Sequence, residues 1–97
     1  MYTLHIRTLA RQGIQDIVDY YNTQVSSRTT DKFLTVLYEE FDLLVYNPKL
    51  FQIKYRDTRV RFIKGFQFGI HYRIQGNIVE ILAVLHASRN PNIWQKR

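Results

Sequence analysis

The residues best suited to chemistry lie in the second half of the chain, on or near segments that alternate like β-strands. Histidine can transfer a proton near neutral pH, and arginine presents a planar fork of N–H donors that fits a phosphate group. Cleavage of RNA through its own 2′-hydroxyl requires a group that takes the proton and cations that stabilise the developing negative charge. The residue types that meet these needs are Arg61, His71, Arg73, His86 and Arg89. Together they indicate metal-independent phosphodiester chemistry.

Each of these residues also has a simpler structural explanation. For Arg73 the alternative is an ion pair with Glu80 on the next strand, which contributes under about 1 kcal/mol when exposed, and we favour it. His86, at a strand end, can instead bond a loop carbonyl. Arg61 and Arg89 can be solvated charges or can cap carbonyl groups. We therefore name Arg61, His86 and Arg89 as catalytic candidates only if the protein is a nuclease.

Other kinds of site find little support. His5, His71 and His86 are scattered, without a second ligand at helical or Cys-x-x-Cys spacing, so no metal is expected. Glycine-rich nucleotide-binding patterns are absent, so no cofactor is expected. The chain contains no run of about 18 apolar residues, so no membrane span is expected. The N-terminus does not resemble a signal peptide. The lack of cysteine fits a protein of the cytoplasm.

Positive charge is concentrated in the second half of the chain. Residues 1–47 carry four basic and six acidic side chains, a net charge of −2, whereas residues 48–97 carry ten basic and two acidic, a net charge of +8. Such asymmetry favours a polyanion or an acidic protein as partner, although a solvated basic surface without a partner is an equally simple explanation. The candidate target-binding residues are Lys54, Arg56, Arg59, Arg61, Lys64, His71 and Arg73.

Two helices are predicted in the first half of the chain. A helix of about a dozen residues follows the first strand, because apolar residues recur there at helical spacing. A polar loop is expected over residues 22–30, where Thr29 or Thr30 can cap the second helix. That helix should end near Tyr46, because Pro48 disfavours helical geometry in the residue before it. The two helices are expected to form an antiparallel hairpin.

Strands are predicted on both sides of the helices. Alternating apolar and polar residues place them at residues 1–7, 60–63, 66–74 and 78–86, with residues 48–58 as a loop. The fold class is therefore α+β. An N-terminal strand, a helical hairpin and a three-stranded antiparallel meander form one mixed or antiparallel sheet that packs on the helices. All 97 residues are expected to form a single domain.

The Gly76-Asn77 turn predicts the pairing of the last two strands. One face would pair Arg73 with Glu80, His71 with Leu82, and Gln67 with His86. The other face would pair Ile74 with Val79, Tyr72 with Ile81, Ile70 with Ala83, and Phe68 with Leu85. The second face is the more apolar and should receive the helices. His86 would then lie on the opposite face, and Tyr72 would serve packing.

Two segments of the sequence resemble the RelE/ParE superfamily of bacterial type II toxins. The first is FQFGIHYRI at residues 66–74, an aromatic-rich strand that ends in Tyr-Arg. The second is VEILAVLHASRNPNIW at residues 79–94, a central strand that ends in His, followed by Arg, Pro and Trp. The order of strand, helical hairpin, basic loop and three strands is similar to that superfamily over nearly the whole chain.

This resemblance implies a small growth-inhibiting toxin that is encoded beside an acidic antitoxin and bound by it, with a toxin–antitoxin hetero-oligomer as one form that the complex can take. Members of the ParE branch poison DNA gyrase, whereas members of the RelE branch cut mRNA on the ribosome without a metal. The ending H-A-S-R-N-P-x-x-W is more similar to the ParE side, and the last residues, NIWQKR, lack the tyrosine common in the ribonuclease branch. The resemblance thus favours gyrase as target, with the ribosome and its mRNA, or a non-toxic antitoxin-binding domain, as alternatives.

Overall fold

The computed structural model of the chain describes residues 2–87. Its elements are β1 (Thr3–Ile6), α1 (Thr8–Gln24), α2 (Ser27–Tyr46), a short 3₁₀ helix (Pro48–Leu50), β2 (Ile53–Tyr55), β3 (Thr58–Phe62), β4 (Phe68–Gln75) and β5 (Ile78–His86). The sheet has the order β1-β5-β4-β3-β2. β1 runs parallel to β5, and the remaining neighbours are antiparallel. The predicted α+β fold, with a helical hairpin between the first strand and the others, is confirmed.

The helical hairpin is tighter than its sequence suggests. The predicted loop over residues 22–30 is wrong, because α1 continues to Gln24 and α2 begins at Ser27. Ser26, and neither Thr29 nor Thr30, caps α2: its hydroxyl oxygen accepts from the Thr29 backbone N–H at 3.2 Å. Thr30 instead donates from its hydroxyl to the Asn22 side chain at 2.6 Å, which ties the two helices together. The polar residues at this junction therefore form hydrogen bonds at the helix ends and do not form the predicted loop.

Strand β2 lies within the predicted loop over residues 48–58, so the meander has four strands and not three. The sequence signal was weak because β2 has only three residues and its pairing with β3 is irregular. A two-residue turn joins the strands, and Arg56 occupies it with a positive φ of 48°. Tyr72 fixes the segment before β2: its hydroxyl donates to the Pro48 carbonyl at 2.7 Å. Tyr72 is fully buried, as its interpretation as a packing residue predicts.

A β-bulge interrupts the pairing of β4 with β5. Tyr72 lies opposite Ile81 as predicted, but His71 lies opposite Ala83, so Leu82 is an extra residue on β5. One extra residue moves every later side chain of the strand to the other face of the sheet. The predicted pairs His71–Leu82, Ile70–Ala83, Phe68–Leu85 and Gln67–His86 are therefore wrong; the observed partner of Ile70 is Val84 and that of Phe68 is His86.

The helices pack on one face of the sheet, called the helix face below; the opposite side is called the far face. The core on the helix face consists of fully buried or nearly buried side chains from both layers: Ala10, Ile17, Phe33, Leu37, Phe41, Leu44, Ile63, Ile70, Tyr72, Val79, Ile81 and Val84. Each large apolar side chain buried in this way contributes about 1.5–3 kcal/mol. Because of the bulge, Val84 takes the core position that the predicted register gave to Ala83.

Helix α1 approaches β5 closely at Gly13. A Cβ atom on residue 13 would lie 2.9 Å from the Val84 carbonyl oxygen, closer than carbon and backbone oxygen atoms can approach. β1 pairs with β5 only as far as Ile81, so the later part of β5 has no strand partner on that side among the described residues. The helix covers this edge, as proteins commonly do to protect unpaired strand edges. Glycine at position 13 makes the close approach possible.

We predict that Gly13→Ala destabilises the protein. Alanine favours a helix over glycine by about 1 kcal/mol, but the added methyl group must push α1 away from Val84, at a cost of about 1–3 kcal/mol. Urea unfolding should therefore show a net loss of stability. The matched control is Gln15→Ala, an exposed position of the same helix, where a change within about 0.5 kcal/mol is expected. A Gly13→Ala protein more stable than wild type would contradict the close contact.

Candidate functional site

The structure divides the candidate residues between the two faces of the sheet. Arg61 and His86 lie on the helix face, and His71 and Arg73 lie on the far face. The predicted placement of His86 on the far face is wrong, because the bulge at Leu82 precedes it. Arg89 lies outside the described residues. Arg61 and His86 are the two predicted catalytic residues that the structure describes. They do not line a common pocket.

Arg61 is held by partners within the fold. Its Nε donates to Oε2 of Glu40 on α2 at 2.6 Å, and its Nη2 lies 3.3 Å from Oε1 of the same carboxylate. The guanidinium also lies 4.7 Å from the centre of the Phe51 ring, a cation–π contact. Hydrogen bonding to Glu40 raises the pKa of Arg61 above its ordinary value. Arg61 therefore clamps α2, β3 and the segment before β2, and its charge is largely neutralised.

The other basic residues around the β2–β3 hairpin differ in how freely they can meet a partner. Arg59 is half-buried, and its Nη1 donates to the Phe51 carbonyl oxygen. Lys54, Arg56 and Lys64 are exposed. We call these three side chains the basic hairpin. They are the predicted target-binding residues that the fold leaves most accessible, so a negatively charged partner would meet them first.

On the far face, Glu80 binds two arginines. Its Oε1 accepts from Nε of Arg73 at 2.6 Å and its Oε2 from Nη1 of Arg7 at 3.1 Å. The Glu80 side chain is only 10% exposed. Hydrogen bonding to Arg73, assisted by the charge of Arg7, lowers the pKa of the Glu80 carboxyl below its ordinary value. The predicted Arg73–Glu80 ion pair is confirmed, and Arg7 adds a link from the end of β1.

His71 lies in a pocket on the far face, a cavity of about 410 Å³ between the start of α1 and the bulge. Its exposure is only 7%, and its Nδ1 lies 2.8 Å from the Tyr55 hydroxyl oxygen. Burial lowers the pKa of His71 from 6.5 to about 4, so the ring is neutral at physiological pH. Burial also raises the pKa of Tyr55, which keeps its hydroxyl protonated and able to donate. A neutral, buried His71 that shares a hydrogen bond with Tyr55 holds the fold together and does not supply positive charge to a target.

His86 lies at the edge of an apolar groove of about 570 Å³ on the helix side, between α1 and the start of β4. The His86 ring meets the Phe68 ring edge to face, with 5.4 Å between the ring centres. The groove is lined by aromatic and aliphatic side chains with two polar neighbours: Ile17, Tyr20, Tyr21, Val25, Phe66, Phe68, Asp16 and Gln67. We call this the aromatic groove. Its surroundings suit an apolar ligand better than a phosphate group.

Sequence patterns alone do not single out Glu40, Tyr55 or the aromatic groove. Glu40 is one of several acidic residues on α2, and only the packing of β3 against that helix shows that it meets Arg61. Tyr55 lay within the predicted loop. The groove combines residues from α1 and β4 that are far apart in the chain, although the edges of Tyr20 and Tyr21 on the first helix were a usable signal.

Two further properties of residues 2–87 bear on function. Over this part of the chain, no group of three or more histidine, aspartate or glutamate side chains is placed to hold a metal ion. Within the same residues, no helix combines the length and the apolar character needed to cross a membrane.

Comparison with known proteins agrees with the architecture. The chain is similar in structure to the "Chromosomal ParDE TA system from P. aeruginosa", with a TM-score of 0.77 and 19% sequence identity. The matched region covers 89% of this chain and 96% of the other. At this identity the similarity shows the fold alone. No curated protein sequence matches the chain.

The fold and the sequence together define a small toxin of the ParE type. The family model for the ParE toxin of the type II toxin-antitoxin system parDE matches residues 4–91. The chain therefore belongs to the ParE toxin family, as the resemblance in its last two strands predicts.

We predict that His71 makes the protein less stable as the pH falls. Its lowered pKa means that the unfolded chain takes up a proton below pH 6.5 while the folded protein resists it until about pH 4. Stability present above pH 6.5 is therefore lost across this interval, by about 2–3 kcal/mol. Urea unfolding at pH 7.5 and pH 4.5 should show this loss in wild type and a smaller loss in His71→Gln. Tyr55→Phe should keep the wild-type pH dependence, because burial causes the shift; an unchanged dependence in His71→Gln would contradict it.

A second prediction concerns the far-face ion pairs. Glu80→Gln removes a charged acceptor shared by two arginines and should cost about 1–3 kcal/mol at pH 7. Because the pKa of Glu80 is lowered, its contribution is present above the ordinary value of 4.5 and is lost as the pH falls through the folded value. The difference in unfolding free energy between wild type and variant should thus shrink toward pH 3. Glu39→Gln, at an exposed position on α2, is the control, and a difference that grows in acid would refute the assignment.

Proposed function

We propose that this protein inhibits growth by poisoning DNA gyrase, and that an acidic antitoxin binds and neutralises it. Membership of the ParE toxin family is the observation that carries the proposal. The ending of β5 and the residues after it, which resemble the ParE branch in sequence, point the same way.

The arrangement of charged groups is consistent with a toxin that acts by binding. A metal-independent ribonuclease needs a proton-transfer group and cations around one phosphate. Here Arg61 is paired with Glu40, Arg73 is paired with Glu80, and His71 is buried and neutral. His86 borders the aromatic groove, whose described lining contains no basic side chain besides it. Cleavage of mRNA on the ribosome is therefore the less favoured alternative.

The basic hairpin is the part of the surface that we assign to the target. Lys54, Arg56 and Lys64 are exposed on or beside the outer strands of the sheet. Gyrase holds DNA while it acts, and the phosphates of that DNA are the natural partners of exposed lysine and arginine side chains. Arg59 and Arg61 hold the segment before β2 in position and so support this surface from behind.

The test is a gyrase cleavage assay with purified toxin. Wild type should stabilise covalent gyrase–DNA complexes and reduce supercoiling. The double variant Lys54→Glu, Lys64→Glu should lose this effect by at least about tenfold, since each reversal replaces attraction to phosphate by repulsion. Lys32→Glu reverses an exposed charge on α2 and should keep wild-type potency.

Three outcomes would count against parts of the proposal. Full gyrase activity at a high excess of folded toxin would remove gyrase as the target. Codon-positioned mRNA breaks after toxin induction, seen by transcript-end sequencing, would favour the ribosome instead. Loss of activity in both the double variant and Lys32→Glu would show that the basic hairpin has no special role.

A further inference from the structure

A shallow depression beside the basic hairpin exposes large apolar side chains. It measures about 300 Å³ and lies along the outer strands of the sheet, and its lining includes Leu50, Lys54, Arg61 and Phe62. We call it the hairpin depression. Leu50 is 57% exposed and Phe62 53% exposed. Scattered apolar residues are normal on a protein surface, but an aromatic ring and an aliphatic side chain exposed in one concavity mark a candidate contact surface.

The Phe62 ring lies on the far face, against the backbone of β4. Phe62 pairs with Gly69 across the two strands, and its neighbour Arg61 points to the opposite face, where it bonds Glu40. A Cβ atom on residue 69 would lie 3.3 Å from two carbons of the Phe62 ring and 3.1 Å from the Val60 side chain. The ring therefore occupies the space that a side chain at residue 69 would fill. Glycine at this position holds the ring close to the sheet, and no helix among residues 2–87 packs over that face.

The surroundings of this ring are strongly positive. Residues 49–64 carry six basic side chains and one acidic side chain, Asp57. Lys54 lines the depression together with the ring, and Lys64 follows Phe62 by two residues; both lysines are exposed. A second copy of this chain would bring the same positive charge, so the depression suits a polyanion better. Aromatic rings among cations are the means by which proteins bind single-stranded nucleic acid, because the cations attract phosphates while the ring stacks on a base.

Stacking on a base distinguishes cleaved DNA from intact DNA. In an intact duplex the neighbouring base pairs cover both faces of a base, so a protein ring meets a base face only where the stack is interrupted. Cleavage by gyrase interrupts the stack at the break. A group that binds the cleaved form and not the intact form shifts the equilibrium toward the cleaved form. Attraction between lysine and phosphate alone does not do this, because the phosphates are present in both forms.

We propose that Phe62 stacks on an unpaired base of the cleaved DNA held by gyrase, while Lys54 and Lys64 bind the neighbouring phosphates. This inference rests on the proposed function and deepens it. It names the part of the DNA that the toxin recognises, a base exposed at the break, and the side chain that selects the cleaved state. Because every base has a face on which a ring can stack, little dependence on base sequence is expected.

The first test compares binding of the purified toxin to a fluorescent single-stranded DNA oligonucleotide and to a duplex whose ends are closed by base-free linkers. Phe62→Leu keeps an apolar side chain but removes the ring, so it should bind the single strand about fivefold or more weakly than wild type and bind the duplex equally well. Phe62→Trp keeps a ring and should retain wild-type binding. Tyr38→Leu removes a ring that is 56% exposed on α2, outside the depression, and is the matched control.

The salt dependence separates stacking from charge. Phe62→Leu should leave the slope of log affinity against log salt concentration unchanged, because stacking on a base releases no counterions. Lys54→Gln should reduce this slope by about 0.7, the value for one phosphate contact on a single strand. Both positions are exposed, so both variants should unfold within a few degrees of wild type. Equal weakening of single-strand and duplex binding by Phe62→Leu, with its fold intact, would contradict stacking.

A photochemical cross-link locates the contact in the wild-type protein. A single strand that contains 5-iodouracil forms a covalent bond on irradiation with an aromatic ring that stacks on the modified base. Mass spectrometry of the digested complex should place this bond at Phe62. Cross-links at other aromatic residues, with none at Phe62, would overturn the assignment.

The gyrase cleavage assay separates this inference from the proposed function. Phe62→Leu should trap about fivefold or fewer cleaved complexes than wild type, and Phe62→Trp should trap as many as wild type. If Phe62→Leu traps as many as wild type, only the stacking assignment is overturned. If gyrase keeps full activity at a high excess of toxin while Phe62-dependent binding to single strands is found, gyrase falls as the target and stacking on a single strand stands. Tighter Phe62-dependent binding to single-stranded RNA than to DNA would overturn the assignment to DNA.

Discussion

The β-bulge at Leu82 determines which side chains can act together in this protein. Before the bulge, β5 places Val79 and Ile81 against the helices; after it, Val84 takes over that role and Ala83 turns to the far face. Without the extra residue, His86 would share a face with His71 and Arg73. With it, His86 borders the aromatic groove beneath the helices. The bulge also follows the last pairing of β5 with β1, where α1 takes over the cover of the strand edge and Gly13 permits close contact.

Some charged side chains of this toxin form ion pairs and hydrogen bonds within the fold, and others are exposed to solvent. Arg61 and Arg59 bind Glu40 and the Phe51 carbonyl, and Arg73 shares Glu80 with Arg7. Half-buried ion pairs of this kind fix the geometry of neighbouring elements more than they add stability, because desolvation offsets much of their attraction. Lys54, Arg56 and Lys64 of the basic hairpin are exposed, and they are the cations that the proposed function assigns to the target.

The two far-face polar groups respond to acid for different physical reasons. His71 resists protonation because burial disfavours its charged form, whereas Glu80 resists protonation because two arginines favour its charged form. Both shifts lower a pKa, and both make the folded protein weaker in acid. A protein kept near neutral pH holds both groups in the states that the fold requires, one neutral and one ionised.

The sequence by itself determined the order and type of most elements. Helical spacing in the first half, the Gly76-Asn77 turn and the two family segments sufficed for the α+β fold, the Arg73–Glu80 pair and the buried Tyr72. These features depend on residues close in the chain or on a turn that sets a local register.

Tertiary structure decided the rest. The short strand β2 exists because β3 pairs with it, Glu40 meets Arg61 because α2 packs over the sheet, and His86 changes face because one extra residue is accommodated in β5. Each of these features depends on contacts between distant segments. Hydrophobic alternation and secondary-structure propensity describe only residues that are close in the chain, so they carry no information on the energies of such contacts.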